Sequence, residues 1–372
     1  MWITYSTANA LIPTAIALGN FDGVHRGHQR VIQPVLNFVR CQKSEASREG
    51  QKKAQGTQGE NLIQNPLAPA PENAYPTVVT FNPHPQEFFS GQARALLTPL
   101  AEKAQQLSSW GIEQLVLLPF DRELAARSPQ DFVEKILVQQ LHTQMISVGE
   151  DFCFGKRRSG TATDLQAIAS NFGIPVTIVP NFTCEGNASD GLRQRISSSA
   201  IRGALAQGNL QRAKQLLDRP YILTGTVAKG QQLGRTIGFP TANIQLPPNK
   251  FIPRLGVYAV RVFVEGEKPE VRGSEEGERL DNTLSQPLLP EDNPPSSLQL
   301  VGFGVMNIGT RPTVNGVNQS VEVHILDWTG DLYGKTIIVQ LEEFLRPEQK
   351  FASLEELKAQ IIADCAKAKS LF

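Results

Sequence analysis

The sequence predicts two domains of different class: a parallel α/β domain, then a small β-barrel closed by a C-terminal helix. Three observations carry this. Up to Asp218, short apolar runs alternate with helical patterns, as in a parallel sheet. Beyond Asp218-Arg219-Pro220 the texture turns to short β-type runs separated by Gly and Pro. The chain then ends on one amphipathic helical pattern. At 372 residues it has room for two or three domains with sizeable cores.

Thr14-Ala15-Ile16-Ala17-Leu18 reads as a buried strand, and 29–36 has the apolar spacing of a helix. Residues 41–76 hold few large apolar side chains and read as a flexible insertion. A strand follows at 77–81, a helix at 101–110 and a buried strand at 114–118. The segment 128–141 reads as a helix, with Ser128 as cap, Pro129 in first position and Asp131 on the positive end of the dipole. Strands at 146–149 and 176–179 complete the series. The helical stretch 198–217 should break at Gly203 and at Gly208-Asn209.

The domain boundary is placed after 218, giving domains 1–218 and 219–372. In the second, strands are expected at 221–227, 257–264, 300–306, 320–327 and 336–341. Between Glu265 and Asp292 stand nine acidic and three basic residues. That makes 265–298 a solvated, flexible acidic insertion. Ser353-Leu354-Glu355-Glu356 is a capping box, and Leu354, Leu357, Ile361 and Cys365 form an apolar stripe.

Composition excludes several classes. Lys plus Arg equals Asp plus Glu, 36 each, so there is no sign of a basic nucleic-acid surface. No apolar run approaches the ~18 residues of a membrane span. No Lys or Arg precedes Arg26, so the basic start of a signal peptide is missing. Four scattered cysteines form no C-x-x-C. The expectation is a cytoplasmic protein with no membrane partner.

The most informative segment is Gly19-Asn20-Phe21-Asp22-Gly23-Val24-His25-Arg26-Gly27-His28, where a strand feeds a helix N-terminus. Free backbone N–H groups and the helix dipole favour anions there. His25 and His28 can share one face of the first turn. Such a pair can ligate a metal, pack in a core or contact phosphate. No Cys or third His lies nearby to complete a zinc set. Three further segments carry chemistry. Thr80-Phe81-Asn82-Pro83-His84-Pro85 follows a strand and is stiffened by two prolines. The segment 148–160 also follows a strand and offers Asp151, Phe152, Phe154 and a basic run ending at Arg158. Arg195-Ile196-Ser197-Ser198-Ser199-Ala200-Ile201-Arg202 opens a helix with hydroxyls and two arginines, the parts of a phosphate clamp. Each has a bland alternative: a rigid turn, a core aromatic pair, a capped helix.

A second Gly-rich stretch runs from Gly225 through Gly230, Gly234, Arg235, Gly238, Phe239 and Pro240 to Thr241-Ala242-Asn243. It contains no P-loop, yet its backbone amides can wrap phosphates or simply form a hairpin. Thr241 and Asn243 offer neutral oxygens two residues apart, suited to a magnesium ion held mainly by nucleotide phosphates.

H-x-G-H resembles the signature of the nucleotidyltransferase superfamily. The four N-terminal motifs together resemble the first module of the prokaryotic bifunctional riboflavin kinase/FAD synthetases. Ser199 stands where that family usually has Thr. The run G-x-x-L-G-R-x-x-G-F-P-T-A-N is similar to the family's riboflavin kinase signature. So are Asn307-Ile308-Gly309-Thr310-Arg311-Pro312-Thr313 and 321–327.

The resemblance implies a Rossmann-like nucleotidyltransferase domain followed by a riboflavin-kinase-type barrel. It implies riboflavin, FMN and ATP as substrates and Mg²⁺ as cofactor. FMN adenylylation would use His25 and His28 on the ATP phosphates, with Ser198, Ser199 and Arg202 on the pyrophosphate. Gly19, Phe21, Asp22 and Gly23 would bind nucleotide there. Pro83, His84, Asp151, Phe152 and Arg158 would shape the flavin or adenine pocket. In the barrel, Gly230, Gly234, Arg235, Gly238 and Pro240 would bind ATP, with Thr241 and Asn243 on Mg²⁺. Glu322 would be the base that deprotonates the riboflavin hydroxyl. Three alternatives stand beside this: one active half only, a non-catalytic flavin-binding regulator, or another H-x-G-H nucleotidyltransferase.

Overall fold

The computed structural model describes residues 1–55, 73–184, 194–230, 234, 237–265, 298–313 and 316–372. They form two compact units. The first comprises Met1–Ala206, Arg212–Arg219 and Pro248–Ile252; the second comprises Gln207–Gln211, Pro220–Pro247 and Pro253–Phe372.

In the first unit β1 (Trp2–Thr4), β2 (Thr14–Leu18), α1 (Arg26–Gln55) and β3 (Tyr75–Asn82) come first. There follow α2 (Pro85–Ser90), α3 (Leu100–Ser109), β4 (Gln114–Pro119) and α4 (Arg122–Ala126). A short α5 (Pro129–Asp131) runs on into a π-helical stretch, Phe132–Gln140. Then come β5 (Thr143–Gly149), β6 (Cys153–Phe154), β7 (Gly160–Thr161), α6 (Ala162–Ser170) and β8 (Val176–Val179). The unit ends with β9 (Thr183–Cys184), β10 (Gln194–Arg195), α7 (Ser198–Ala206) and α8 (Leu210–Leu217).

Six strands make a fully parallel sheet in the order β1-β4-β3-β2-β5-β8. β2 is buried along its whole length because both sheet faces are covered. Ala15 and Ala17 share a core with Val31, Val35 and Val39 of α1. Ile16 and Leu18 alternate onto the other face and share a core with Phe132, Leu137 and Leu165. Strand order reverses between β2 and β5. In open sheets that switch point leaves a crevice beyond the carboxyl ends of the strands.

Two expectations need correction. Residues 41–55 continue α1 rather than opening a loop. Ala, Glu, Lys, Arg and Gln fill much of this stretch, and their helix propensity is high. The rest of the expected insertion, 56–72, lies outside the described residues, and β3 resumes at Tyr75. Gly203 also does not interrupt α7; the break comes at Gly208, whose φ of 76° suits glycine. Of the expected acidic insertion, 265–298, the end residues Glu265 and Leu298 belong to strands and 266–297 lies outside the described residues.

The second unit is a closed antiparallel barrel. Its strands are β11 (Ile222–Ala228), β12 (Ala242–Gln245), β13 (Gly256–Glu265), β14 (Leu298–Thr313), β15 (Gly316–Ile325) and β16 (Thr336–Arg346). The order is β11-β12-β15-β14-β13-β16, and β16 pairs back onto β11, so no edge is left open. α9 (Leu354–Lys369) starts at Ser353, whose hydroxyl accepts from Glu356 N at 3.2 Å. It packs Ala368 against Val257, Ala259 and Val305. Arg346 holds Asp364 of this helix through Nε and Nη2 at 2.8–3.1 Å.

Candidate active sites

Three of the four N-terminal motifs leave the sheet at carboxyl ends of neighbouring strands. The 19–28 turn follows β2, Pro83-His84 follows β3, and Asp151-Phe152 follows β5. The fourth motif opens α7 and is bonded into the turn. Ser198 Oγ donates to the Asp22 carbonyl at 2.7 Å, and Arg202 Nη2 reaches the Asp22 carboxylate at 2.5 Å.

The turn itself is tight. Phe21, Gly23 and Val24 have φ of 49°, 91° and 40°, in the left-handed region. Its carbonyls and amides are held from outside. Gly19 N donates to Val79 O at 3.1 Å, and Gly23 N to Thr98 Oγ1 at 3.0 Å. Arg219 grips the carbonyls of Gly23 and Val24, both at 2.7 Å. Asp22 is 3% exposed and accepts from Leu97 N at 2.8 Å as well as from Arg202. Asp22 therefore braces the turn rather than presenting a free carboxylate. Phe21 is buried and sits beside the His28 ring, a core position.

His25 and His28 stack with ring centroids 3.6 Å apart. Each Nδ1 accepts the other residue's backbone N–H, at 3.2 and 3.3 Å. An accepting Nδ1 leaves the proton on Nε2, so both rings are neutral and each presents an Nε2–H donor. Burial drives both below the ordinary histidine value, His25 to about 4, with Arg219 adding to the shift in each case and His25 itself adding to that of His28. Gly27 makes the stack possible, since a Cβ there would lie 3.1 Å from the His25 ring.

Ser199 is exposed in the first turn of α7. His84 caps α2 through Nδ1, which accepts from Gln86 N at 3.1 Å, and burial lowers its pKa to about 4. Asp151 is paired with Arg195 at 2.5 Å, and Phe152 stacks on Phe154. Arg158 is exposed beyond β6.

In the barrel, β12 lies against β15 with Asn243 directly opposite Glu322. Thr241 Oγ1 donates toward Glu322 Oε2 at 3.4 Å. Gly230 lies hard against the Asn243 amide, and Gly234 closes a turn by accepting from Phe239 N at 2.8 Å. Gly238 takes φ 91°. His324 Nδ1 donates to Pro240 O at 2.8 Å and meets the Phe239 ring edge-on. Arg235 falls outside the described residues. Beside this cluster a cavity of ≈ 330 Å³ is lined by Phe239, His324, Leu326, Ile362, Cys365 and Lys369, among others.

Sequence reading missed Arg219, Thr98 and the cavity, and also Lys103, whose Nζ donates to the Asn20 carbonyl of the turn at 3.0 Å. Lys103 did carry a signal: Leu100, Lys103 and Leu107 fall on one helical stripe, an unusual place for an ammonium.

One unit carries a strand-to-helix turn at the switch point of a parallel sheet, and the other carries a carboxylate with two neutral oxygens on a barrel; each by itself is the kind of site a nucleotide-dependent transferase uses. A family model described as FAD synthetase matches residues 8–47 and 60–198, and one described as riboflavin kinase matches 217–372. The chain is 39% identical to the bifunctional riboflavin kinase/FMN adenylyltransferase of Escherichia coli K12, covering 96% of this chain and 92% of that one. It is 31% identical to the protein of the same name from Bacillus subtilis, covering 96% and 92%. A solved structure titled macrolide-efflux protein from Streptococcus pneumoniae superimposes with a TM-score of 0.70, at 26% identity over 99% of this chain and 98% of that one. No helix among the described residues is long and apolar enough to cross a membrane. The chain belongs to the family of bifunctional riboflavin kinase/FMN adenylyltransferases.

Proposed function

We infer that this chain converts riboflavin and ATP to FMN and ADP in its barrel unit, and FMN and ATP to FAD and pyrophosphate in its parallel-sheet unit. The observation that carries the reading is the pairing of two differently equipped sites. One holds a stacked pair of neutral imidazoles at a helix N-terminus; the other holds a carboxylate across the strand from Asn243.

FMN attacks through a phosphate already ionised at pH 7. That step needs no base, only alignment and charge stabilisation. The Nε2–H groups of His25 and His28, with the amides opening α7 and the Ser199 hydroxyl, are the donors for the ATP phosphates. Arg202 contributes chiefly by fixing Asp22, with its remaining N–H groups turned to pyrophosphate. Pro83, His84, Phe152 and Arg158 border the flavin, and Arg195 holds Asp151 in place.

Riboflavin attacks through a hydroxyl, which must lose its proton. Glu322 is the base. Thr241 and Asn243 supply neutral oxygens beside it, a donor set that suits Mg²⁺ carried mainly by ATP phosphates. When bound, that ion offsets charge on the transferring phosphoryl group. Gly230, Gly234 and Gly238 bring backbone close to the triphosphate. The ≈ 330 Å³ cavity takes the flavin ring, with Phe239 and Leu326 as apolar walls.

The test is flavin chromatography after incubating the full chain with ATP, Mg²⁺ and either riboflavin or FMN. FMN and FAD from riboflavin, and FAD from FMN, are expected. Tight flavin binding without turnover would overturn the reading in favour of a regulator.

A further inference from the structure

Lys103 is 7% exposed on α3, and its Nζ donates to the Asn20 carbonyl at 3.0 Å, inside the 19–28 turn. Thr80 Oγ1 donates to the same carbonyl at 3.1 Å. Among the described residues no carboxylate lies within ion-pair distance of this ammonium. The two nearby acids are committed: Asp22 to Arg202 and to the Leu97 amide, and Glu102 to Lys250 at 2.5 Å. A buried ammonium without a counter-ion is costly, and proteins retain one where something else supplies the anion.

We propose that Lys103 is a catalytic residue of the adenylyltransferase unit, whose ammonium pairs with a phosphate oxygen at the point of transfer. The inference rests on the functional reading above. In the step it serves, an oxygen of the FMN phosphate bonds to the α-phosphorus of ATP. The bond from that phosphorus to the bridging oxygen breaks, and pyrophosphate leaves with the electron pair. Lys103 neither gives nor takes a proton; its charge offsets that gathering on the phosphates.

The surroundings agree with such a place. Its charge lowers the pKa of both His28, in the first turn of α1, and His84, at the head of α2. Lys103 thus stands within electrostatic range of the two motifs that meet the nucleotide and the flavin. Burial brings its own pKa down to about 8, and Asp22 opposes that shift. Asp22 in the turn, His28 and His84 are the ionisable groups that face it.

The experiment is steady-state adenylylation by the full chain, wild type, K103M and K103R, from pH 6.5 to 9.5, varying ATP and FMN separately. K103M is expected to lose roughly 10²–10³-fold in kcat/KM, and K103R to keep most of it. Because kcat/KM reports the free enzyme, the wild-type value should fall above pH about 8. That limb should move upward in K103R and vanish in K103M. The substrates' phosphates are already ionised there, with second pKa values near 6, and the imide proton of the flavin ring is lost at higher pH and alike in all three proteins. A raised KM for ATP identifies the triphosphate as the counter-ion, a raised KM for FMN the flavin phosphate, and a loss in kcat alone the transition state. The proposal is overturned if K103M stays within about fivefold of wild type or keeps the alkaline limb. Equal losses in K103M and K103R, with lowered unfolding midpoints, would reduce Lys103 to a staple on Asn20 and also overturn it. If the wild type makes no FAD, the functional reading fails, and calorimetric titration with inorganic pyrophosphate still decides the lysine. Weaker binding of pyrophosphate, or of FMN in a parallel titration, to K103M supports the pairing, and equal binding of both refutes it.

Discussion

Gly230→Ala puts the barrel site to a quantitative test. A Cβ at Gly230 would stand 2.1 Å from Nδ2 and 2.5 Å from Cγ of Asn243. Ordinary contact needs about 3.5 Å, so the amide must retreat by more than roughly 1 Å. Because the clash meets the end of a rotatable side chain, rotation absorbs it at about 0.5–1.5 kcal/mol and the barrel stays folded. The displaced group is the one we place on the Mg²⁺–ATP complex, opposite Glu322. A misplacement of about 1 Å at a reacting centre costs on the order of 10²-fold. Initial rates of FMN formation over a range of MgATP should therefore fall about 100-fold in kcat/KM, with FAD formation from FMN unchanged in the same preparation. Asn243→Ala should show the same loss. The double variant should lose no more than either single one, because both lesions act through one amide. Full kinase activity in Gly230→Ala, or additive losses in the double variant, would refute the reasoning.

Glu322→Gln should lower kcat for FMN formation by about 10²–10⁴-fold and leave adenylylation intact, read by the same chromatography. His28→Ala removes one Nε2–H donor and the partner that stacks on His25, so adenylylation should fall roughly 10²–10³-fold with FMN formation retained. The folded chain holds His25 and His84 near 4, against an ordinary 6.5, so between those values the unfolded chain binds more protons. Stability from these groups is full above pH 6.5 and is lost as pH falls toward 4; calorimetric scans from pH about 7.5 to 4.5 should show a falling midpoint, and a flat one would contradict the burial argument. Lys250 and Glu102 form a buried pair in the first unit, with side chains 0% and 6% exposed. Lys250→Met should cost that unit about 3–5 kcal/mol, and adding Glu102→Gln should recover much of it in denaturant unfolding.

The fold was legible where pattern and packing agree. Thr14–Leu18 reads as buried because it is covered on both faces, and the alternation of strands with helices gave the parallel sheet. What sequence could not supply was distance along the chain. Residues 248–252 pack in the first unit, with Leu96 N bonded to Asn249 O at 2.6 Å and Lys250 beside Glu102. No local pattern marks such a return. Arg219, read as part of a boundary, clamps two carbonyls of a turn almost two hundred residues earlier. The extension of α1 to Gln55 is hidden for a different reason: the stretch lacks large apolar residues, yet helix propensity needs no core. Within one motif the side chains also take different places in the packing. Asp22 and Phe21 belong to the first motif, yet one braces the turn and the other fills the core, whereas His25 and His28 present donors.

The contrast between the two sites follows from the nucleophiles. A phosphate arrives ionised, so a base in the first unit would do nothing. Neutral imidazoles locked by each other's backbone N–H keep the same Nε2–H donors across the physiological range. A hydroxyl arrives protonated, which is why we assign the barrel a base and place that role on Glu322. The two lesions should therefore answer differently to pH. In Glu322→Gln, hydroxide can partly replace the missing base, and residual FMN formation should rise as pH increases from about 7 to 9. In His28→Ala, a hydrogen-bond donor is missing and hydroxide supplies none, so residual FAD formation should show no such rise. A rise in both, or in neither, would mean that the division of labour between base and donor is wrong.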